Sequence, residues 1–180
     1  LTAGDPNVIV AVVDESVDHT HEDLKDNMWT NDAELNGAPG VDDDKNGYID
    51  DIHGYNFVDN TATISWNRQK DSGHGTHVAG TIAAVNNNGK GVAGVAGGTG
   101  NNDGVRIMSV QIFSGEKGSG PSATADAVEY AADNGASILQ CSWGNPAGAL
   151  PNDNAFITGD YEVEYLAFKY FMETQNCDAL

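Results

Sequence analysis

Basic residues are scarce in this chain. Its 180 residues include 8 Lys and Arg against 27 Asp and Glu, which gives a net charge of −19. Such a surface would repel phosphates, so the composition argues against a nucleic-acid partner. The same charge adds self-repulsion to the folded state, and bound cations would relieve that repulsion. We therefore expect no nucleic-acid binding, and the acidic segments become candidates for cation sites.

Long apolar runs and cysteines are scarce as well. No apolar run reaches the ~18 residues that a membrane-spanning helix needs, and the longest, residues 7–13, suits a buried strand. We expect no membrane span. Two cysteines, Cys141 and Cys177, are too few for a disulfide framework. Cys141 lies in an apolar run and is expected to be an inert buried thiol.

Strand and helix patterns alternate along the chain. Candidate strands are residues 8–13, 54–58, 105–113 and 136–143, the first a continuous β-branched run typical of a buried parallel strand. Candidate helices are residues 74–85, 122–134 and 161–175. In the second, we expect Ser122 to be the N-cap and Gly135 to end the helix. The polar segments between them are expected to be loops. The alternation predicts βαβ units, a parallel sheet and one structural unit, with ligands bound at the carboxyl ends of strands.

Two residues in this pattern suit proton-transfer chemistry. Asp14 directly follows the first strand, so its carboxylate would be held rigidly and partly desolvated; a turn or capping Asp is the alternative. His74 lies in the octapeptide GHGTHVAG, at a predicted helix start and between two glycines that leave it accessible. Its ordinary pKa near neutrality suits a general base, and a carboxylate can fix its tautomer. The alternative for His74 alone is a surface or capping residue.

These segments resemble the motifs of the subtilase family. The stretch VIVAVVDESVDHTHEDL is similar to the family's Asp motif and GHGTHVAGTIAA to its His motif, in the family's order. Further segments that resemble subtilases, again in order, are NNNGKGVAGVAG, VRIMSVQIF and GSGPSATADAVEYAADNGASILQCSWG. The similarity runs along nearly the whole chain. The sequence most resembles a secreted or cell-surface bacterial subtilase, which implies an extracytoplasmic protein.

The resemblance implies both a fold and an activity. The fold is a three-layer α/β architecture with a mostly parallel sheet of the subtilisin type, incomplete because residues 1–180 correspond to roughly the first 60% of such a catalytic domain. The activity is that of a serine endopeptidase, in peptidase family S8, which hydrolyses peptide bonds through an Asp-His-Ser triad. Asp14 would orient His74, and His74 would be the general base in preference to His77, which we expect to pack or to hydrogen-bond.

Two further segments resemble the strands that hold an extended substrate. The first is Gly118, Ser119 and Gly120, which would pair with the substrate backbone; the second is Ser142, Trp143 and Gly144, the opposing edge beside the S1 pocket. Trp143 stands where a smaller apolar residue is common, and its alternative is an ordinary core aromatic. Glu15 departs from the small hydroxyl residue usual after the Asp, and would raise the pKa of His74 if it lies close.

The sequence contains neither the family's Gly-Thr-Ser nucleophile motif nor its oxyanion strand ending Ala-Gly-Asn. Without a nucleophile there is no covalent catalysis, so we expect this chain alone to be inactive and the parent protein to be the enzyme. The alternatives are a non-catalytic binding or scaffold protein with a subtilase half-fold, and a calcium-binding interaction module. An incomplete sheet would expose an apolar edge, which predicts self-association.

One acidic segment has the spacing of a calcium loop. Oxygen ligands alternate at Asp42, Asp44 and Asn46, Gly47 occupies the sixth position, and a backbone carbonyl is expected at Tyr48, as in the first half of an EF-hand. Position twelve is His53 rather than Glu, so Asp50 or Asp51 would close the shell. Hard oxygen ligands favour Ca²⁺ over zinc and transition metals. The alternative is a solvated acidic loop.

A second calcium site is implied by the resemblance alone. Asp23 stands nine residues after Asp14, as a calcium-ligating Asp does in many subtilases. The loop of residues 86–92 resembles the partner loop, with Asn88 as a side-chain ligand and carbonyls from Asn86, Lys90 and Val92. The family's usual N-terminal ligand has no counterpart in this sequence, so we expect an incomplete site.

Overall fold

The computed structural model describes residues 3–68 and 70–175, so Cys177 lies outside the described part. Four parallel strands form the main sheet in the order β2-β3-β1-β6, and a short antiparallel pair, β4-β5, stands apart from it. The strands are β1 (Ile9–Asp14), β2 (Gly54–Asn56), β3 (Arg106–Gln111), β4 (Phe113–Ser114), β5 (Lys117–Gly118) and β6 (Ile138–Gln140).

Helices cover both faces of the sheet. They are α1 (Asp32–Asn36), α2 (His74–Ala83), α3 (Pro121–Asp133), α4 (Asp153–Ile157) and α5 (Glu162–Thr174), with a 3-10 turn at Lys25–Asn27. Side chains alternate along β1, so Val10 and Val12 share one buried cluster with Ala79 of α2, whereas Ala11 and Val13 share another with the inner faces of α3 and α5. The result is the expected three-layer α/β arrangement, in which both faces of the sheet are buried.

Several boundaries differ from those predicted. Ser122 is not an N-cap: α3 begins at Pro121 and its N-cap is Gly120, because Pro lacks the N–H that a first helical position leaves unused. Helices α1 and α4 form inside segments expected to be loop. The last strand is shorter than 136–143. In the described part of the chain it spans Ile138–Gln140 and has a single neighbour, β1.

Helix α2 approaches the chain after β1 very closely at one glycine. A Cβ on Gly75 would overlap the backbone carbonyl of Ser16, whereas a Cβ on Gly80 of the same helix would meet nothing within 4 Å. Gly75 therefore allows α2 to lie against the segment that follows Asp14.

This pair of glycines gives a matched stability test. We expect Gly75→Ala to lower the free energy of unfolding by about 1–3 kcal/mol, because the backbone must shift. Gly80→Ala should raise it by about 0.5–1 kcal/mol, because alanine has the better helix propensity. Urea unfolding of the two variants measures both, and equal effects of the two substitutions would contradict the close approach.

None of the helices in residues 3–68 and 70–175 combines the length and the hydropathy of a membrane span.

Candidate functional site

Asp14 and His74, 60 residues apart in the chain, meet at the carboxyl end of β1. His74 Nδ1 lies 2.9 Å from each carboxylate oxygen of Asp14. The Asp14 side chain is 3% exposed and the His74 side chain 46% exposed. A buried carboxylate that accepts the Nδ1–H leaves Nε2 as the acceptor nitrogen of the neutral imidazole, which is the tautomer that a general base requires.

Glu15 fixes the start of the helix that carries His74. Its Oε2 accepts hydrogen bonds from the backbone N–H and the hydroxyl of Ser72, at 3.1 and 2.9 Å, and from the backbone N–H of His74 at 3.3 Å. The N-cap residue, Gly73, has no side chain to do this. A carboxylate at a helix N-terminus satisfies unpaired N–H groups and complements the helix dipole. The departure from the usual family sequence therefore has a structural role.

The pKa of His74 is raised above its ordinary value. The hydrogen bond and the charge of Asp14 are the main causes, Glu15 adds to the rise, and partial burial opposes it. A histidine with a raised folded-state pKa contributes stability that is fully present below the unfolded pKa and is lost as pH rises through the folded pKa.

A proton NMR titration of this chain tests whether Asp14 raises the pKa of His74. We expect Asp14→Asn to lower the pKa of His74, because both main causes of the rise are removed. His19, whose pKa is lowered by its own burial and by His53, should titrate as before. An unchanged His74 titration in the variant would contradict the pairing.

The two predicted substrate segments lie near one aromatic pair. Gly118 of β5 pairs with Phe113 of β4, and the Phe113 and Trp143 rings contact edge to face with centroids 6.0 Å apart. Gly118 and Gly120 are exposed, as are Ser142 and Gly144, and Ser119 is half-buried.

Trp143 is anchored at the strand that carries Asp14. Its Nε1–H donates to the Val13 carbonyl at 2.8 Å, and its half-buried ring packs against the main core. Burial, followed by the charge of Asp14, raises the pKa of the neighbouring Cys141 thiol to about 11, so this cysteine stays protonated at neutral pH. His77, which was expected to pack or to hydrogen-bond, is exposed.

Residues 5–176 match the family model described as "Subtilase family". The chain belongs to the subtilase family. Among curated subtilases, it is 50% identical over 86 residues to subtilisin-like protease 1 of Plasmodium berghei (strain Anka), covering 48% of this chain and 14% of that protein. It is 31% identical over 143 residues to the halolysin-like extracellular serine protease Nep of Natrialba magadii, covering 79% of this chain and 22% of that protein.

A solved subtilase structure supports the fold. The chain is similar to fervidolysin from Fervidobacterium pennivorans, a keratinolytic enzyme related to subtilisin, with a TM-score of 0.57 and 29% identity over 96% of this chain and 20% of that one. The predicted family and the mostly parallel α/β fold are thus confirmed. This subtilase chain spans less than a quarter of each of the three relatives.

A compact acidic cluster lies at the other predicted site. Carboxylate oxygens of Glu34, Asp44 and Asp51 all lie within 4.8 Å of one another. Asp51 is fully buried and Glu34 is 4% exposed. Burial raises the pKa of Asp51, and the charges of Asp44 and Glu34 add to the rise, against the hydrogen bonds from Tyr130 and Asn46. Among the described residues no Lys, Arg or His forms an ion pair with these three carboxylates.

The donor set of this cluster fits Ca²⁺. It offers closely spaced carboxylate oxygens without a compensating cation, which is the environment that a hard divalent ion relieves. Two amides lie against them: Asn31 Nδ2 donates to Asp44 and Asp51 at 2.8 and 3.2 Å, and Asn46 Nδ2 donates to the same two carboxylates at 3.2 Å each.

The cluster differs in part from the predicted ligand set. Asp44, Asn46 and Asp51 come together as expected, but Asp42 stays outside and accepts the backbone N–H groups of Asn46 and Gly47. Asp50 turns away to the Gly40 N–H. The backbone N–H of Tyr48 donates to Asn46 Oδ1.

Sequence reasoning missed Glu34 and Asn31, which come from α1 and its N-cap. The only signal for them was an Asn followed three residues later by Glu, which is typical of a helix start and not of a metal site.

The second predicted pair also meets. Asn88 Nδ2 donates to one oxygen of Asp23 at 2.6 Å, and the Val92 N–H donates to the other at 2.9 Å. Asp23 is buried, and its carboxylate is hydrogen-bonded on both oxygens. The loop of residues 86–92 therefore closes on Asp23 through these donors.

Proposed function

We propose that this chain is part of a serine endopeptidase in which Asp14 orients His74 and His74 is the general base. The observation that carries the proposal is the approach of His74 Nδ1 to both oxygens of a buried carboxylate. His74 Nε2 would accept the proton of a serine hydroxyl as that oxygen attacks the scissile carbonyl, and would then return the proton to the leaving amine. The serine would be supplied by the part of the protein outside these 180 residues.

The peptide substrate would bind in an extended form between two exposed backbone segments. Gly118, Ser119 and Gly120 would add the substrate as a strand on one side, and Ser142, Trp143 and Gly144 would form the other side. The contact between Phe113 and Trp143 supports this arrangement, because it brings the two segments to the same end of the sheet. Trp143, whose indole N–H is hydrogen-bonded to the Val13 carbonyl, would narrow the S1 pocket.

We also propose Ca²⁺ as a structural ion of this protein. Glu34, Asp44 and Asp51 would hold it, with Asn31 and Asn46 beside them; Asp42 and Tyr48 would shape the loop. The support is the clustering of three carboxylates, two of them buried, without a cationic partner. Asp23 and Asn88 form a weaker second candidate, since they offer one carboxylate where the acidic cluster offers three.

The relatives include a protease named as extracellular, and we propose secretion or display at the cell surface for this protein. A bacterial source stays a prediction, because the curated relatives reported above come from Plasmodium berghei and Natrialba magadii.

The isolated chain should associate with itself and should not cleave peptides. The sequence has no Gly-Thr-Ser motif, and the edge strand β6 exposes Ile138 to 48%. We expect a second copy to cover this edge by strand pairing. Light scattering on the purified chain measures it, and a monomer at all accessible concentrations would contradict the pairing.

The test of the proposed function uses the polypeptide that continues this chain to the length of its relatives. We expect it to cleave a fluorogenic peptide and to lose that activity when a fluorophosphonate labels a serine. A continuation without a Gly-Thr-Ser segment, or cleavage that the serine reagent does not affect, would contradict the endopeptidase and favour the non-catalytic binding or scaffold protein.

A further inference from the structure

One buried side chain, Tyr130, connects the acidic cluster to helix α3, which follows the proposed substrate segment of residues 118–120. The Tyr130 hydroxyl donates to Asp51 Oδ2 at 2.6 Å, and both residues are almost completely buried. Tyr130 belongs to α3, whereas Asp51 follows the loop of residues 42–50. A hydrogen bond to a carboxylate inside the protein is among the stronger polar contacts, so it joins the loop firmly to the helix.

The same loop reaches Tyr130 through a second contact. The rings of Tyr48 and Tyr130 pack edge to face with centroids 4.8 Å apart, and Phe57 also contacts Tyr130, at 5.6 Å. Residues 48 and 51 of the acidic segment thus both act on one side chain of α3. A shift of this segment must therefore move Tyr130 or break both contacts.

Helix α3 leads directly to the proposed substrate segment. It runs from Pro121 to Asp133, so about 14 Å of helix separates Tyr130 from its first residue. There the Thr124 N–H donates to the Gly120 carbonyl at 3.0 Å, and the Ser119 and Thr124 hydroxyls lie 3.2 Å apart. The Ser119 N–H donates to the Ile112 carbonyl at 2.7 Å. The position of the segment thus depends on where α3 lies.

We propose that Tyr130 is a positioning residue that couples cation binding at the acidic cluster to the order of residues 118–120. The inference rests on the cation site and the substrate segment of the proposed function. Without a cation, repulsion among three clustered carboxylates loosens the loop, and Tyr130 loses its acceptor. With a cation, Asp51 and Tyr48 are fixed, and α3 is fixed with them. Because such coupling is reciprocal, a peptide bound along 118–120 raises the affinity for the cation.

Amide hydrogen exchange on the chain, followed by NMR with and without saturating Ca²⁺, tests the proposal. Calorimetric titration with CaCl₂ first establishes that the ion binds. In the wild type we expect Ca²⁺ to slow exchange of the Ser119 and Thr124 amides. We expect Tyr130→Phe to reduce that slowing about tenfold, since it removes one hydrogen bond to a charged group. The variant should still bind Ca²⁺.

Tyr55→Phe is the matched control. Tyr55 contacts the same aromatic group, but its hydroxyl donates to Asn60, at 3.2 Å, and not to the cluster. This variant should keep the wild-type response of Ser119 and Thr124. In the wild type itself, the ring carbon signals of Tyr130 should shift on Ca²⁺ addition more than those of Tyr55, which tests the contact without any substitution.

The outcomes separate the two proposals. If Ca²⁺ binds but Ser119 and Thr124 do not respond, or if Tyr130→Phe responds like the wild type, the coupling is wrong and the cation site stands. If calorimetry detects no binding of Ca²⁺, the cation site and the coupling fall together, and the assignment of Asp14 and His74 is untouched.

Discussion

Replacement of His74 by alanine should abolish nearly all peptide cleavage by the polypeptide that continues this chain. Loss of the base costs about 10⁶-fold in kcat in subtilisin itself, and we expect a loss of the same order here. In the proposed mechanism His74 Nε2 would accept the serine proton, and the buried Asp14, 2.9 Å from Nδ1, would fix the tautomer. Asp14→Asn should cost less, about 10⁴-fold, because the base remains but its orientation is lost. Initial rates on a fluorogenic peptide measure both.

His77→Ala provides the control for this experiment. His77 lies one turn further along the same helix and is exposed, so its removal tests the loss of a histidine without loss of the Asp14 partner. We expect cleavage close to that of the wild type. If His77→Ala abolished cleavage and His74→Ala retained it, the assignment of His74 as the base would be wrong.

The Asp14–His74 pair was predicted from the resemblance to the subtilase motifs, and local sequence patterns placed each of the two residues at the end of an element. A buried β-branched run places Asp14 at the end of a strand, and the glycines around His74 mark the start of a helix. The effect of Glu15 on the pKa of His74 was predicted, but its role at the start of α2 could not be. Its carboxylate reaches Ser72 and His74 only because Gly75 lets α2 lie against Ser16, and that approach depends on the tertiary packing.

The acidic cluster could be predicted only in part. Spacing within residues 42–51 predicted a calcium loop, and two of its acidic residues, Asp44 and Asp51, lie in the acidic cluster. The spacing could not include Glu34, which belongs to a helix inside a segment read as loop, eight residues before the motif. Nor could it choose between Asp50 and Asp51. That choice follows from Tyr130, 79 residues further along the chain, whose hydroxyl holds Asp51 inward.

Removal of calcium should destabilise this chain markedly. When the free ion concentration is a hundred times the Kd, binding adds about 2.7 kcal/mol to the free energy of unfolding. For a chain of this size that corresponds to about 5–10 °C in Tm. Differential scanning calorimetry with excess CaCl₂ and with EGTA measures the difference. An equal Tm in the two conditions would contradict a structural ion.

Asp51→Asn should reverse the order of stability between those two conditions. With Ca²⁺ the variant should melt below the wild type, because a buried ligand oxygen and its charge are lost. With EGTA it should melt at or above the wild type. The folded pKa of Asp51 is raised by burial, so its favourable contribution is present below the unfolded pKa and is lost as pH rises through the folded pKa. Asparagine does not ionise, so the metal-free variant avoids this loss of stability.

Asp32→Asn controls for the change of net charge alone. Asp32 is exposed in the first turn of α1, one residue from Asn31, so it lies near the cluster without belonging to it. We expect its effect on Tm to have the same sign and a similar size with Ca²⁺ and with EGTA. A reversal for Asp51→Asn that is absent for Asp32→Asn assigns the effect to the three clustered carboxylates. A parallel decrease for both variants, with no reversal, would instead mean that the acidic loop acts only as a solvated surface.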